Sequence, residues 1–259
     1  METNYHMSVL VHEQAKKYGD REMLIYQDFG GKEWKSLSWN QVSQTVKQIS
    51  NALLNLGVKV QENIGIFSQN SVQYIECDFA AWGIRAVTIP FYATSSEQQI
   101  QFMVNDAKVR FLFVGEQDQY DKARRIFTLC PTLERIIVFD PQVHISTHDP
   151  NAVYFSDFLK LGENLPRQIE VEKLQQEASF DDIANILYTS GTILISPPLY
   201  NSKSNFFSFI SHTKALLSLP PLINLLSSIL SKHHTIDLCP SNVIKDSFEF
   251  IFHIFILLS

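Results

Sequence analysis

Short apolar runs alternate with amphipathic segments from residue 63 to 139, and this alternation is the strongest constraint on the fold. The apolar runs, which are predicted strands, lie at 64–67, 86–91, 109–114 and 135–139. Between them, apolar residues recur at the spacing of one helix face. Strands that are separated by helices pair in parallel and carry helices on both faces of the sheet. The pattern therefore predicts an α/β fold with a mainly parallel, doubly wound sheet.

The residues before this repeat predict two helices and a hairpin. A first helix is expected over 8–18, and residues 24–26 and 34–39 are expected to pair around two consecutive glycines. Asn40 is expected to cap a second helix with an apolar stripe, and Gly57 is expected to end it. The opposite face of this second helix is polar, so the helix is expected to pack on one side only.

A turn of small polar residues follows the last predicted strand, which starts at Ile183. The turn consists of Thr189, Ser190, Gly191 and Thr192. Hydroxyl and backbone N–H groups can bind phosphate oxygens, and a glycine lets a polyphosphate approach the main chain closely. The patterns G-x-x-x-x-G-K-[ST] and G-x-G-x-x-G are both absent from the chain. The four residues are therefore predicted to bind a cofactor phosphate in a loop of another kind, although they also suit an ordinary turn.

Several runs of this sequence resemble one superfamily. The stretch DDIANILYTSGT at 181–192 resembles the YTSGTTG-x-PKG loop of the adenylate-forming enzymes, which include acyl-CoA synthetases, luciferases and peptide-synthetase adenylation domains. SLSWNQV at 36–42 resembles their opening motif, and AWGIRAVTIP at 81–90 resembles their Gly-Ala-Val-x-Val-Pro strand motif. PFYATSSEQQI at 90–100 looks like the long-chain fatty acyl-CoA synthetase branch. The resemblance covers roughly 8–192 and implies the amino-terminal part of the large domain of these enzymes.

The resemblance implies an ATP-dependent long-chain fatty acid–CoA ligase. In that chemistry a fatty carboxylate attacks the α-phosphate of ATP, and the acyl-adenylate then forms a thioester with coenzyme A. ATP, Mg²⁺ and coenzyme A are the implied cofactors, with Thr189, Ser190, Gly191 and Thr192 holding the β and γ phosphates. No catalytic or metal-binding residue is assigned. An aryl or medium-chain acid ligase and a non-enzymatic product stay as alternatives, because the family's acyl pocket lies outside this stretch.

The composition changes after Thr192. The family loop continues with a second threonine, a glycine and a lysine, whereas this chain continues ILISPPLY. None of the nine glycines lies in 193–259, where Ser, Leu, Ile and Phe make up most of the sequence. A frameshift, a retained intron or an incorrectly drawn gene would produce such a break. The sequence thus predicts a partial AMP-binding domain over 1–192 and a divergent, disordered tail over 193–259, in a polypeptide that does not catalyse adenylation.

Charge, cysteine content and the apolar runs of the sequence limit the classes of partner and the cellular locations to be expected. A net charge of −6 without a basic run argues against a nucleic-acid partner. The amino terminus does not read as a secretory signal, and Cys77, Cys130 and Cys239 form no CxxC pair. These features predict a cytoplasmic protein. Cys77 lies beside apolar positions of a predicted helix and is therefore expected to be a buried, inert thiol. The apolar run 248–258 is too short to span a bilayer, so no transmembrane segment is predicted and peripheral membrane association stays open.

Two further groups of residues could suggest sites but are better explained by structure. His144 and His148, with Asp149, have a spacing that zinc could use, yet they lie in a polar stretch between prolines, which favours a solvated loop. Phe79 and Trp82 lie on one predicted helix face and are expected to belong to the core rather than to an acyl-binding wall.

Overall fold

A computed structural model of the chain describes residues 6–189, 192–196 and 214–217; for Thr189 and the last two ranges it describes the backbone alone. The chain forms two units, Met1–Ala215 and Leu216–Ser259, and the account below concerns the first. The apolar run 248–258 and Cys239 lie outside the described residues. The boundary expected after Thr192, with its disordered tail, stays a prediction.

The described ranges contain helices and strands in regular alternation. The helices are α1 (Met7–Tyr18), α2 (Trp39–Asn55), α3 (Val72–Gly83), α4 (Glu97–Asp106), α5 (Gln117–Ile126), α6 (Phe155–Lys160) and α7 (Gln168–Gln176). The strands are β1 (Glu22–Tyr26), β2 (Lys35–Ser38), β3 (Asn63–Phe67), β4 (Val87–Phe91), β5 (Phe111–Val114), β6 (Arg135–Val138), β7 (Ala152–Tyr154), β8 (Asn185–Thr189), β9 (Thr192–Ser196) and β10 (Lys214–Leu217).

The main sheet confirms the predicted α/β architecture. From β9 to β7 its strand order is β9-β8-β4-β3-β5-β6-β7. Every neighbouring pair from β8 to β7 is parallel, and β8 pairs with β9 antiparallel. The strands β1 and β2 form the predicted hairpin as a separate antiparallel pair.

Helices cover both faces of this sheet, as the doubly wound prediction requires. The helices α1, α2, α3, α6 and α7 contact one another in one layer, whereas α4 and α5 contact each other in a second layer. Val46 and Ile49 on α2 are fully buried, and so are Val104 on α4 and Ala123 on α5. Both layers therefore bury the apolar stripes that the sequence predicted.

The start of α2 differs from the prediction that Asn40 caps it. Ser38 is the cap: its hydroxyl accepts the N–H of Gln41 at 3.3 Å, and the Gln41 side chain accepts the N–H of Ser38 at 2.8 Å. Asn40 donates instead to Asp20 at 2.9 Å. The reciprocal pair satisfies two backbone donors that a single asparagine would leave in part unpaired, which explains the earlier start.

Among the elements before β8, β7 and α7 were not predicted, and neither were β9 and β10 after it. With three residues, β7 is too short to show an alternating pattern. Among the residues of α7 only Val171 is buried, so the helix carries no apolar stripe. Its first turn is held by Asn51 of α2, whose Oδ1 accepts the N–H of Arg167 at 2.6 Å and whose Nδ2 donates to Gln168 at 3.2 Å. Such distant contacts leave no signal in a local window of sequence.

Candidate functional site

The candidate phosphate turn joins two strands of the main sheet. Thr189 is the last residue of β8 and Thr192 is the first residue of β9, and the two are register partners. Ser190 and Gly191 lie outside the described residues. The structure thus brings the two threonine backbones together, while a phosphate role for all four residues stays a prediction.

The turn follows the carboxyl end of β8, the side on which parallel sheets of this class bind ligands. The topological switch point lies elsewhere, between β3 and β5, because β3 connects to β4 on one side and β5 connects to β6 on the other. The segments that follow β3 and β5 are in close contact at this point: a Cβ added at Gly115 would lie 2.5 Å from the hydroxyl of Ser68. The candidate turn is therefore two strands away from the switch point.

An ion pair fixes the chain just before β8. Nε and Nη2 of Arg85 donate to the two carboxylate oxygens of Asp182 at 2.7 and 3.0 Å. Burial opposes the charge on Asp182, but hydrogen bonds from Arg85 and from the backbone of Ser179 outweigh it and lower its pKa. Asp182 is therefore held as a carboxylate where the chain enters β8.

The side-chain amide of Gln61 provides the backbone partners of the next residue. Its Oε1 accepts the N–H of Ile183 at 2.8 Å, and its Nε2 donates to the carbonyl of Ile183 at 3.2 Å. The same Nε2 donates to the carbonyl of Arg85 at 3.1 Å. Because Gln61 occupies both backbone groups of Ile183, the strand begins at Asn185 and not at Ile183 as predicted.

Side chains from α3 and β4 hold the two residues that follow. The indole nitrogen of Trp82 donates to the carbonyl of Ala184 at 3.1 Å. The hydroxyl of Thr88 accepts from the side chain of Asn185 at 2.7 Å, and the Thr88 side chain also hydrogen-bonds to buried Asp78. Each residue from 182 to 185 therefore has a side-chain partner on α3, on β4 or in the segments that precede β3 and β4.

Tyr188, next to the turn, is held against α4. Its hydroxyl donates to Asp106 at 2.6 Å, and its ring meets that of Phe102 edge to face with centroids 6.3 Å apart. Burial, followed by the hydrogen bond to Asp106, raises the pKa of Tyr188. With Ile186 it packs against the apolar cluster beneath α4 and α5. The side chains of β8 that face α4 are thus structural.

The described residues give the turn one of the two features that a polyphosphate needs. Small residues at the carboxyl edge of a parallel sheet suit phosphate oxygens. The second feature is positive charge. The stretch 192–196, which pairs antiparallel with β8, contains no lysine or arginine and so does not supply that charge. Within the ranges described, no group of three or more His, Cys, Asp or Glu side chains could hold a metal ion.

The other candidates from the sequence have structural roles. Cys77 is a free, buried cysteine, as predicted, and burial raises the pKa of its thiol well above the ordinary value. Phe79 and Trp82 are buried and pack edge to face with centroids 5.6 Å apart, which confirms their place in the core. His144 and His148 are exposed on the loop before β7, as predicted, whereas the side chain of Asp149 is buried and accepts the hydroxyl of Tyr120 at 2.9 Å.

A sequence model for AMP-binding enzymes matches residues 11–192, which is more than half of the chain. The chain belongs to the AMP-binding enzyme family. The match ends at Thr192, the last residue of the candidate turn.

Curated relatives of known activity are similar to the same part of the chain. The long-chain-fatty-acid–CoA ligase ACSBG2 of Rattus norvegicus is 26% identical over 195 residues, which is 74% of this chain and 28% of that protein. Fatty acyl-CoA synthetase A of Dictyostelium discoideum is 30% identical over 181 residues, which is 67% of this chain and 25% of that protein. The chain thus spans about a quarter of the length of these relatives.

Solved structures support the fold. The anthranilate CoA ligase AuaEII in complex with anthranoyl-AMP superposes with a TM-score of 0.59 at 18% identity, over 76% of this chain and 35% of that one. The long-chain-fatty-acid-CoA ligase FadD1 of Archaeoglobus fulgidus gives 0.55 at 16% identity, over 76% and 37%. These likenesses concern the fold alone.

Among the described helices, none combines the length and apolarity that a membrane crossing requires. The cytoplasmic location expected from the sequence, like the expected absence of a nucleic-acid partner, stays a prediction.

Proposed function

We propose that this chain is the amino-terminal part of an ATP-dependent long-chain fatty acid–CoA ligase. The observation that carries the proposal is the family match, which runs through β8 into the candidate turn and ends at Thr192. The relatives named above are ligases of long-chain fatty acids or fatty acyl-CoA synthetases. A fatty acid is accordingly the proposed substrate of the whole protein, with ATP, Mg²⁺ and coenzyme A as its cofactors.

In this proposal the turn holds the phosphates of ATP. Backbone N–H and hydroxyl groups of Thr189, Ser190, Gly191 and Thr192 would bind the β and γ phosphates, and the bound nucleotide would supply the pyrophosphate leaving group. The residues of this chain orient that turn through the contacts at the start of β8. No described residue is proposed to bind Mg²⁺.

We further propose that the polypeptide itself does not form acyl-adenylates. Phosphoryl chemistry at this centre depends on positioning and on charge stabilisation, and loss of one such donor commonly costs about 10²-fold or more. The stretch after the turn contains Ile193, Leu194 and Ile195 where the loop it resembles has a glycine and a lysine. Branched apolar side chains cannot replace either group.

Pyrophosphate exchange tests this proposal directly. Purified protein of this sequence is incubated with ATP, Mg²⁺, palmitate and labelled pyrophosphate, and the Dictyostelium relative serves as the positive control. We expect the same label in ATP with and without palmitate. Palmitate-dependent exchange would contradict the proposal and would place catalytic groups after Thr192.

A chimaera tests the ligase ancestry separately. Residues 1–192 replace the matching part of the Dictyostelium synthetase, and acyl-CoA formation is measured. We expect activity, and we expect Thr189→Val with Thr192→Val to raise the KM for ATP because two hydroxyl groups are lost. A folded chimaera without activity, or one whose KM for ATP is the same with and without the two substitutions, would count against the proposed role of the turn.

The DNA sequence provides a separate test of the break after Thr192. Translation in the other two frames after codon 192 shows whether a TG-x-PKG continuation exists.

A further inference from the structure

We propose that Gln61 and Arg85 are positioning residues for the candidate phosphate turn: together they fix where the chain enters β8, the strand that ends at the turn. This inference rests on the proposed function for its purpose, whereas its structural content can be tested without nucleotide. Neither residue lies near the turn in sequence.

Backbone geometry first marks these two residues. Gln61 and Arg85 have φ values of 59° and 61°, in the left-handed region that residues with a Cβ avoid. They are joined directly, because the N–H of Gln61 donates to the carbonyl of Arg85 at 2.7 Å. Arg85 also follows α3, where glycine is the usual residue in this conformation. The end of a helix explains the conformation of Arg85 but not the arginine side chain.

The side chains of both residues contact the segment that leads into β8. Arg85 donates two hydrogen bonds to Asp182, and Gln61 binds the N–H and the carbonyl of Ile183. The motif that 81–90 resembles has glycine at the position of Arg85. At this position a glycine would provide the backbone conformation without the contact to Asp182.

The two sides of β8 are held differently. Towards β9 the strand has five register pairs, whereas towards β4 its register consists of the pair Thr88 and Asn185, beside a hydrogen bond from the N–H of Thr88 to the carbonyl of Ala184. On the side of β4, the side-chain contacts of residues 182–185 therefore add to the few backbone contacts that hold the start of β8. Since each strand residue adds about 3.3 Å, Thr189 lies about 13 Å from Asn185, and a tilt of about 10° there would move the turn by about 2 Å. Such a shift exceeds the tolerance of a hydrogen bond to phosphate.

Hydrogen exchange of the complete chain tests the inference. Gln61→Met removes both contacts to Ile183, and Gln61→Glu is the matched control because it keeps an acceptor for the N–H of Ile183. We expect exchange at Ile183 and over 185–188, relative to the amides of β3, to rise about tenfold or more in Gln61→Met. In Gln61→Glu the amide of Ile183 should stay within about threefold of the wild type. Arg85→Lys, which loses the two-point geometry, should give an intermediate rise over the same residues.

Two results would overturn the inference. One is unchanged relative exchange over 185–188 in both Gln61→Met and Arg85→Lys. The other is a uniform rise that includes β3, since general destabilisation would then explain it. The measurement contains no nucleotide. If the chain binds no ATP but shows the local rise in exchange, the proposed phosphate role of the turn is lost, whereas the role of Gln61 and Arg85 in fixing the start of β8 is kept.

Discussion

Buried carboxylic acids occur in two regions of this fold, and their surroundings differ. Glu76 and Asp78 lie on α3 with 4% and 2% exposure, and burial raises their pKa values to about 8 and about 7. Asp182, before β8, is also buried, yet its pKa is lowered because Arg85 donates to both carboxylate oxygens. Burial alone therefore favours the neutral acid, whereas burial beside an arginine favours the carboxylate.

The two regions stabilise the fold in opposite pH ranges. Between about pH 4 and pH 8 the folded chain keeps protons on Glu76 and Asp78 that an unfolded chain would release, so their contribution to the unfolding free energy falls as pH rises. Asp182 behaves in the reverse way. Its contribution is present above the ordinary pKa of an aspartate and is lost as pH falls through the lowered value.

The largest expected change in the unfolding free energy comes from replacing both buried carboxyl groups of α3 by amides. We expect the double variant Glu76→Gln with Asp78→Asn to be more stable than the wild type at pH 8 by about 3 kcal/mol or more, because neither amide has to ionise or hold a proton. Urea denaturation at pH 5, 6, 7 and 8 measures this. The stability difference between the variant and the wild type should grow across that range; each curve by itself also contains the rise up to about pH 6.5 that comes from buried His12, whose pKa burial lowers to about 4. A difference that does not change with pH would refute the comparison.

The single change Asp78→Asn should give a smaller gain of about 2 kcal/mol at pH 8. The amide oxygen can still accept from Thr88, so the link from α3 to β4 is kept. Asp78→Ala is the matched control, because it removes the same titration together with that hydrogen bond. If alanine stabilises as much as asparagine, the contact with Thr88 contributes nothing measurable.

Asp182→Asn should act in the opposite direction. We expect a loss of about 1–2 kcal/mol at pH 7, since a charged partner of Arg85 is replaced by a neutral one. The loss should shrink as pH falls below about 4 and disappear once the wild-type carboxylate is protonated. Denaturation series at pH 2.5 and pH 7 provide the measurement. An equal loss at both pH values would mean that shape, rather than charge, explains the effect.

The sequence predicted the sheet well because its signals are local. Alternating apolar runs identified β3, β4, β5 and β6, and the turn after β8 was found from its small residues. The burial of the two acids on α3 also has a local signal: the helix is apolar around most of its surface, which indicates that Glu76 and Asp78 on it are buried.

The contacts that hold β8 could not be predicted in this way. Arg85 and Asp182 are 97 residues apart, and Gln61 and Ile183 are 122 apart. No spacing rule connects residues so far apart in sequence, and a glutamine in a turn does not by itself predict which backbone groups its side chain will bind. The strand start at Ile183 was wrong for the same reason, because its backbone partner is a side chain from another segment.

The smallest effect is expected at the exposed counterpart of the Asp182 pair. Arg110 holds Glu134 with two hydrogen bonds and lowers its pKa, as Arg85 does for Asp182, but the Glu134 side chain is 54% exposed. We expect Glu134→Gln to cost no more than about 0.5 kcal/mol at pH 7, because water screens an exposed pair. In 1 M NaCl that cost should vanish while the cost of Asp182→Asn persists in large part. Equal costs in urea denaturation at low salt would show that arginine pairing, rather than burial, sets the strength of these two contacts.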